Sequence, residues 1–499
     1  MRRYFKSVLS TIEQILAYQI PWKNYEKSLW VISSISWMLI LLSACFFLIF
    51  TFFYFYNQKE ILEIFPVCGS GCLFLGGLGV LAFPSPRLSG ICAGEKALTT
   101  LFIWGIVAVI ISIPIYVHSP KKEFSAALFE GVSCLTTTGI SLISEKAPLP
   151  AMIEFWRVFV QWMGGIGIVL LSFTLIPALK LNSNLIVFSE FSQRLQKTTP
   201  RTQTVAMHII SLYLGVTLVL TLLLWMAGAL PFQTCLHYSM SCISTGGIQS
   251  YHYPLTTLSL YEKIILISGM ILGALPFLGL LQGIFCPKTF FKDTQIRGYF
   301  ILCGISVFVI STHRHLTFDY LFNVISCITS TGFPCATALN SISSLWCLFL
   351  ILLGGCSGSS AGGFKLFRIQ LLYYISKNKI LKTFRPKHLA SVYYNGEPVQ
   401  QEDVALLLTS VFLYGAGYIG VTFAFSVLGY TPKIACLLSC GLITNSGGAA
   451  HSISTYIENF SFIEQWISIC SMLLGRLEAV MILGILSIVF KIRRGMQFI

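Results

Sequence analysis

The chain has 499 residues, 55% of them hydrophobic and only 10% charged, with a mean hydropathy of +0.78. A soluble domain carries about a quarter charged residues, so soluble classes are excluded and a polytopic membrane protein is indicated. The excess of 33 Lys and Arg over 19 Asp and Glu flanks apolar segments, which assigns it to orientation in a bilayer rather than to nucleic acid.

The stretch 1–29 carries Arg2, Arg3, Lys6, Lys23 and Lys27 but no apolar core with a small-residue cleavage site, and reads as a cytosolic lead-in. Two apolar segments follow at 30–56 and 61–83. Then one unit recurs four times: a span, a shorter apolar stretch ending in a polar run and glycine, a polar connection, and a second span. Spans are expected near 97–118 and 154–179, 203–229 and 260–284, 298–312 and 343–372, and 404–429 and 461–490. The stretches at 124–138, 232–245, 316–331 and 432–446 fall short of the roughly 20 residues a crossing needs. They fit re-entrant half-helices, which are tolerated at membrane depth when buried in protein or lining water. The expected fold is therefore all-α, with about ten transmembrane helices and four re-entrant pore loops. Its units are 1–96 (lead-in and two extra helices), 97–180, 181–285, 286–375 (with a broken second helix) and 376–499 (cytosolic linker and fourth repeat).

The polar runs are Thr136-Thr137-Thr138-Gly139, Ser244-Thr245-Gly246, Ser330-Thr331-Gly332 and Thr444-Asn445-Ser446-Gly447. Glycine accepts positive φ without a Cβ clash, so neighbouring carbonyls can turn toward one axis and replace an ion's hydration shell. One such run is an ordinary turn; four in matching places point to a cation pore made by a single chain. A second signal is Gly354 to Gly363, which places Gly354, Gly355, Gly358, Gly362 and Gly363 inside one span. Each interior glycine costs about 1 kcal/mol relative to alanine, so the helix is expected to break there. The third is Arg476, the one basic residue deep in a span, where a charge costs about 2.5–3.5 kcal/mol. It is expected to face a bundle interior or water, or to pair with Glu478 or Glu130.

The densest basic cluster, Lys365, Arg368, Lys377, Lys379, Lys382, Arg385 and Lys387, places that side in the cytosol and turns the four loops outward. Several motifs carry nothing. Gly415 to Gly420 fits G-x-G-x-x-G but lies in an apolar span with no preceding strand. The run ending in Phe364-Lys365 misses P-loop spacing, and His313 and His315 lack further ligands. The cysteine spacings fit neither zinc nor a redox pair, and free thiols are expected. No nucleophile, base and acid stand at catalytic spacing.

In order along the chain stand Phe129-Glu130-Gly131, Leu135 to Gly139, Gln161-Trp162-Met163-Gly164-Gly165-Ile166-Gly167 and Ser244-Thr245-Gly246-Gly247. Thr331-Gly332-Phe333, Gly354 to Gly363 and Leu474-Gly475-Arg476-Leu477-Glu478 follow. Over residues 30–490 the chain resembles the Trk/Ktr/HKT superfamily of potassium transporters, most closely the Trk-type membrane subunit with two extra N-terminal spans. The resemblance implies K⁺ as the transported ion, held by carbonyls of Thr137, Thr138, Ser244, Thr245, Ser330, Thr331, Asn445 and Ser446, with Gly139, Gly246, Gly332 and Gly447 allowing the twist. It implies that the glycine-rich loop is an intramembrane gate and that Arg476 projects into the pore, with Lys365 an interfacial anchor or a loop contact. It implies a bacterial inner-membrane protein with both termini cytosolic, no cofactor in the chain, a homodimer in lipid, and a cytosolic Rossmann-type (RCK or TrkA-like) nucleotide-binding subunit. The segment 365–403 is the expected docking surface for that subunit, and coupling to H⁺ or Na⁺ by symport stays open. The fourth loop departs from the family's Asn-x-Gly-Pro-Gly, having Gly448-Ala449-Ala450 after Gly447. A Ktr- or HKT-like carrier of both Na⁺ and K⁺ is the alternative, ahead of a polytopic membrane enzyme or a non-conducting scaffold.

Overall fold

A computed structural model describes residues 22–55, 63–83, 93–119, 122–143, 149–178, 202–311, 318–333, 341–385, 391–447 and 454–477. The chain divides into two compact units, one formed by 1–114 with 482–499 and the other by 115–481. Glu478 and Gly448 to Ala450 lie outside the described residues, as do His313 and His315.

In the first unit, α1 (Trp22–Phe55) and α2 (Ile64–Ala82) lie against one another. Their contact is built on small residues. A Cβ at Gly76 would lie 2.8 Å from the Ser36 carbonyl oxygen, and Gly69 sits against Phe46 and Phe47. Close backbone approach of this kind replaces the hydrophobic drive that is missing in lipid. Helix α3 (Ala93–His118) runs from this unit into the second.

The second unit carries the repeats. Four short helices, α4 (Phe124–Leu135), α7 (Phe232–Ile243), α12 (Phe318–Ile328) and α16 (Pro432–Thr444), contain 12, 12, 11 and 13 residues and stop at the polar runs. Their sequences end there because a left-handed residue follows each. Around them stand α5 (Ala151–Ala178), α6 (Thr202–Met226), α8 (Leu260–Ala274) and α9 (Phe277–Phe285), then the four-residue α10 (Pro287–Phe290) and α11 (Thr294–Ser311). The series closes with α13 (Ser341–Leu353), α14 (Leu366–Phe384), α15 (Gln401–Val427), the one-turn α17 (Ser454–Ile457) and α18, described over 462–477. The short helices are buried along most of their length. In α4 every residue from Ala126 to Leu135 is buried, which is how non-spanning backbone is kept from lipid.

Two spans are interrupted. As the glycine run implies, 354–365 is non-helical between α13 and α14. The stretch 260–284, expected as one span, is instead α8 and α9, bent by 104°. The cause is Leu275-Pro276. Proline has no N–H to give the helix, and the residue before it is pushed to extended backbone; Leu275 has ψ 153°. Six described helices are long and apolar enough to cross a bilayer, and the bent pair counts as a seventh. The chain is a multi-pass membrane protein, mostly helical. The remaining expected crossings fall on the shorter α11, the interrupted α13–α14 pair and α18.

Between α14 and α15 lies an element absent from the expected fold, a hairpin of β1 (Tyr393–Tyr394) and β2 (Glu397–Pro398). Asn395 and Gly396 turn it with φ 50° and 86°, the paired positive φ of the tight hairpin turn that Asn-Gly favours.

Candidate ion pathway

The four polar runs share a backbone design. At the end of each short helix a hydroxyl folds back on the carbonyl four residues earlier: Thr136 Oγ1 to Val132 (2.7 Å), Ser244 Oγ to Met240 (2.8 Å), Thr329 Oγ1 to Ile325 (2.7 Å) and Thr444 Oγ1 to Cys440 (2.6 Å). The next residue is left-handed every time: Thr137 (φ 55°), Thr245 (51°), Ser330 (52°) and Asn445 (52°). Such conformations cost on the order of 1–3 kcal/mol for a non-glycine residue and persist where the surroundings enforce them. Two residues later Gly139, Gly247 and Gly332 take φ 73°, 72° and 77°.

This register corrects two of the expected twist glycines. Gly246 matches Thr138, Thr331 and Ser446 rather than Gly139, and its φ is not positive; Gly247 carries the twist. Gly246 is small for another reason: the Gln161 side chain packs straight onto it, where a Cβ would overlap it. In the fourth loop Gly447 also lacks positive φ, and among the described residues of that loop Asn445 alone is left-handed. A signal for the true register was present in the sequence. Ser133-Cys134, Ser241-Cys242 and Ser326-Cys327 each stand six residues before the twist glycine.

The loops meet edge to edge. A Cβ at Gly139 would overlap the Gly246 carbonyl, and one at Gly247 would overlap the Thr331 carbonyl. A Cβ at Gly447 would lie 3.2 Å from the Thr138 oxygen, and Asn445 Nδ2 donates to Thr138 Oγ1 at 3.0 Å. Loops 4, 1, 2 and 3 are thus neighbours in series. On the remaining side, Val324, Cys327 and Ile328 of α12 share a buried apolar cluster with Cys440 of α16. Thr137, Thr138, Ser244, Thr245, Ser330, Thr331, Asn445 and Ser446 are all buried, and Thr137 Oγ1, Asn445 Oδ1 and Ser446 Oγ have no hydrogen-bond partner among the described residues. Buried oxygens left in this state are costly and suit a cation that exchanges its water for them. The short helices also direct the partial negative charge of their C-termini toward this place.

The second helices close against the loops through glycine. A Cβ at Gly164 would overlap the Leu135 carbonyl, one at Gly475 the Ile443 carbonyl, and one at Gly273 would lie 2.7 Å from the Ile243 oxygen. The three carbonyls occupy equivalent positions in loops 1, 4 and 2.

The loop 354–365 touches three of the four polar runs. Ser360 Oγ donates to the Ile243 and Gly273 carbonyls at 2.6 and 2.9 Å. Gly362 N–H donates to Ser330 Oγ at 2.8 Å, and Gly363 N–H to the Thr444 carbonyl at 2.9 Å. It also joins the α8–α9 break, since Cys356 N–H donates to the Ala274 carbonyl and Phe277 N–H to the Gly358 carbonyl. Arg476 Nη2 donates to the Ser360 carbonyl at 2.7 Å, and Lys365 Nζ to the Ala361 carbonyl. The structure therefore brings Gly354, Gly355, Gly358, Gly362, Gly363 and Arg476 together. It removes Glu130 as the partner of Arg476, because Glu130 is bound to Arg157. Ser360, at the centre of the loop's contacts, was missed as a site residue; a serine in a glycine-serine run carries no signal of its own.

The far side of this loop is tied to the hairpin. Gln295 accepts from Ser357 N–H at 3.0 Å, and Asn395 bridges Thr294 N–H (2.9 Å) and Asp293 (3.2 Å). Burial raises the Asp293 carboxyl above the usual carboxylate range, opposed by the N–H groups of Gln295, Ile296 and Asn395. Asn395→Ala removes both bridges, on the order of 2 kcal/mol of hydrogen bonding with one charged partner. Chymotryptic cleavage at Tyr393 and Tyr394 is expected to accelerate about thirtyfold, in proportion to the opened population. Digestion of the purified full chain, followed by mass spectrometry, checks it.

The family described as "TrkH: Cation transport protein" matches residues 91–289. The Trk system potassium uptake protein TrkI of Halomonas elongata is 26% identical over 412 residues, covering 79% of this chain and 83% of its own length. The Trk system potassium uptake protein TrkH of Vibrio parahaemolyticus is 26% identical over 419 residues, covering 79% and 85%. The crystal structure of the potassium transporter TrkH from Vibrio parahaemolyticus superposes with a TM-score of 0.79 at 22% identity, covering 91% of this chain and 97% of that one. Over residues 91–289 the chain is similar to the TrkH family. That family is one of cation transporters, not enzymes. An uncharacterized cation transporter of Methanocaldococcus jannaschii, 28% identical over 440 residues, covers 86% of this chain and 89% of its own length, so the similarity to cation transporters extends beyond 91–289.

Proposed function

We propose that this chain is a TrkH-type transporter that takes up potassium ions across a bacterial inner membrane, with both termini in the cytosol. The observation that carries the reading is the repeated left-handed residue in four loops that pack in series, Thr137, Thr245, Ser330 and Asn445. The names of the relatives, potassium uptake proteins, support the choice of ion. Potassium sheds water among the residues 137–139, 244–247, 330–332 and 445–447. It then passes the loop 354–365, whose displacement opens the path, beside the charge of Arg476. The membrane potential supplies about 2.3 kcal/mol per charge for each 100 mV. The chain acts as a homodimer with a cytosolic Rossmann-type nucleotide-binding subunit docked on the basic helix α14 and the hairpin beyond it.

A carrier that also admits Na⁺ is the second reading. It is favoured by the fourth loop, where Gly447 lacks the twist of its counterparts and Asn445 is tethered to Thr138.

Growth at low external K⁺ and Rb⁺ uptake, in a bacterial strain without its own uptake systems and supplied with the cognate cytosolic subunit, test the proposal. Wild type is expected to restore both. Gly332→Asp, which puts a carboxylate side chain at a φ of 77°, is expected to fall to the vector background at equal membrane abundance. Wild type that carries Na⁺ but not Rb⁺ would overturn the choice of ion.

A further inference from the structure

Beside loops 1 and 2 lies a second constellation that the transport reading does not use. Glu130 lies in α4, three residues before Ser133. Its Oε1 accepts from Leu142 N–H at 2.6 Å and from Ser141 Oγ at 2.8 Å, both just past Gly139. Its Oε2 binds Arg157 Nη2 of α5 at 2.6 Å, and that guanidinium also reaches Ser141 Oγ (3.0 Å) and Tyr251 Oη (3.3 Å). One turn earlier on α5, Glu154 Oε1 accepts from Tyr251 N–H at 3.0 Å and lies 4.0 Å from His237 Nδ1. Glu130 and Arg157 are each 1% exposed and Glu154 is 3% exposed.

A buried ion pair is weak evidence for stability, since desolvation offsets its attraction, but its geometry is demanding and so it fixes positions. What it fixes here is specific. Glu130 joins the limb that enters loop 1 to the limb that leaves it. Arg157 and Glu154 extend the same network to the limb leaving loop 2. Loop 2 has its own clasp at the equivalent helix position, where Tyr238 Oη donates to the Tyr253 carbonyl at 2.5 Å. The same position in loop 4 is Leu438, which can make no such bond.

We infer that Glu130 and Arg157 are positioning residues for ion discrimination: their buried pair holds the outer limbs of loops 1 and 2 at the separation that distinguishes the transported ion from a smaller cation. This rests on the proposed transport function and names the part of the filter that is held rigidly. A mouth whose limbs can close by a few tenths of an ångström around Na⁺ loses discrimination without losing throughput. Glu130 and Arg157 touch no ion themselves.

The test is Rb⁺ uptake in the same cells with Na⁺ as competitor, for wild type, Glu130→Gln, Arg157→Gln, Arg157→Lys and Tyr251→Phe. Glu130→Gln keeps the shape and removes the charge. It and Arg157→Gln are expected to keep measurable Rb⁺ uptake while Rb⁺ preference over Na⁺ falls about tenfold, equivalent to about 1.4 kcal/mol between the ions. Arg157→Lys is expected to recover part of the preference. Tyr251→Phe, which removes only the outermost contact and leaves the ion pair, is expected to shift the ratio in the same direction by about twofold. Uptake that falls in Glu130→Gln or Arg157→Gln with an unchanged ratio would show a merely structural role and overturn the inference. If those variants do not reach the membrane, an unchanged ratio in Tyr251→Phe overturns it. Absence of Rb⁺ uptake by wild type would instead remove the transport reading, so the two failures are distinguishable.

Discussion

Gly247→Ala is expected to abolish Rb⁺ uptake beyond repair, whereas Gly246→Ala is expected to be repaired by a second substitution, Gln161→Ala. The two glycines are adjacent and both lie in loop 2, yet the structure gives them different reasons for being glycine. At Gly247 the backbone is left-handed, φ 72°, and a Cβ would overlap the Thr331 carbonyl of the neighbouring loop. Neither obstacle is a side chain, so no compensating mutation exists; the methyl group costs about 1–2 kcal/mol in backbone conformation alone and also displaces the Thr331 carbonyl. At Gly246 the φ is ordinary and the obstacle is the Gln161 side chain, whose Cγ, Cδ and Nε2 a Cβ would meet. Truncating Gln161 to alanine removes all three atoms. Its amide nitrogen and oxygen have no hydrogen-bond partner among the described residues, so little bonding is lost with them. The measurement is initial Rb⁺ uptake per transporter in the three variants and the double mutant. A double mutant no better than Gly246→Ala, or an active Gly247→Ala, would refute the register assigned to this loop.

That register shows how far the sequence could be read. The four short helices, the break at 354–363 and the two leading helices were all legible, because hydropathy, length and clustered glycine act locally. The polar runs were legible as a set for the same reason. Which glycine twists was not, since Ser244-Thr245-Gly246-Gly247 offers two candidates and the choice depends on what each packs against. The α8–α9 bend was hidden although Pro276 stands in plain view: an apolar stretch of the right length outweighed one proline. The Asn395-Gly396 hairpin was overlooked beside an otherwise helical pattern. The links that assemble the site were beyond sequence reasoning altogether. Asn445 to Thr138 spans 307 positions and Arg476 to Ser360 spans 116, and no local pattern encodes a partner at that distance.

Arg476→Ala is expected to raise Rb⁺ uptake on the order of tenfold or more. Two effects of the guanidinium act in the same direction. On the proposed pathway its charge faces the ion's route, and a unit charge at a separation of about 6 Å from a permeating cation, at an effective dielectric near 20, opposes passage by about 3 kcal/mol, worth roughly a hundredfold in rate. It also anchors the loop 354–365, donating to the Ser360 carbonyl at 2.7 Å; without it, loop displacement meets one fewer charge-assisted hydrogen bond. The effects separate experimentally. Arg476→Lys keeps the charge but replaces the planar fork with a single ammonium, so it retains the electrostatic barrier while loosening the tether. Ser360→Ala leaves the charge and removes the hydroxyl bonds to the Ile243 and Gly273 carbonyls, so it loosens the loop alone. If the barrier dominates, Arg476→Lys stays near wild type and Ser360→Ala changes uptake little. If the tether dominates, both approach Arg476→Ala. A fall in uptake in Arg476→Ala at normal membrane abundance would mean that the guanidinium holds the pathway in shape rather than resisting the ion, and the gating role assigned to it would be lost.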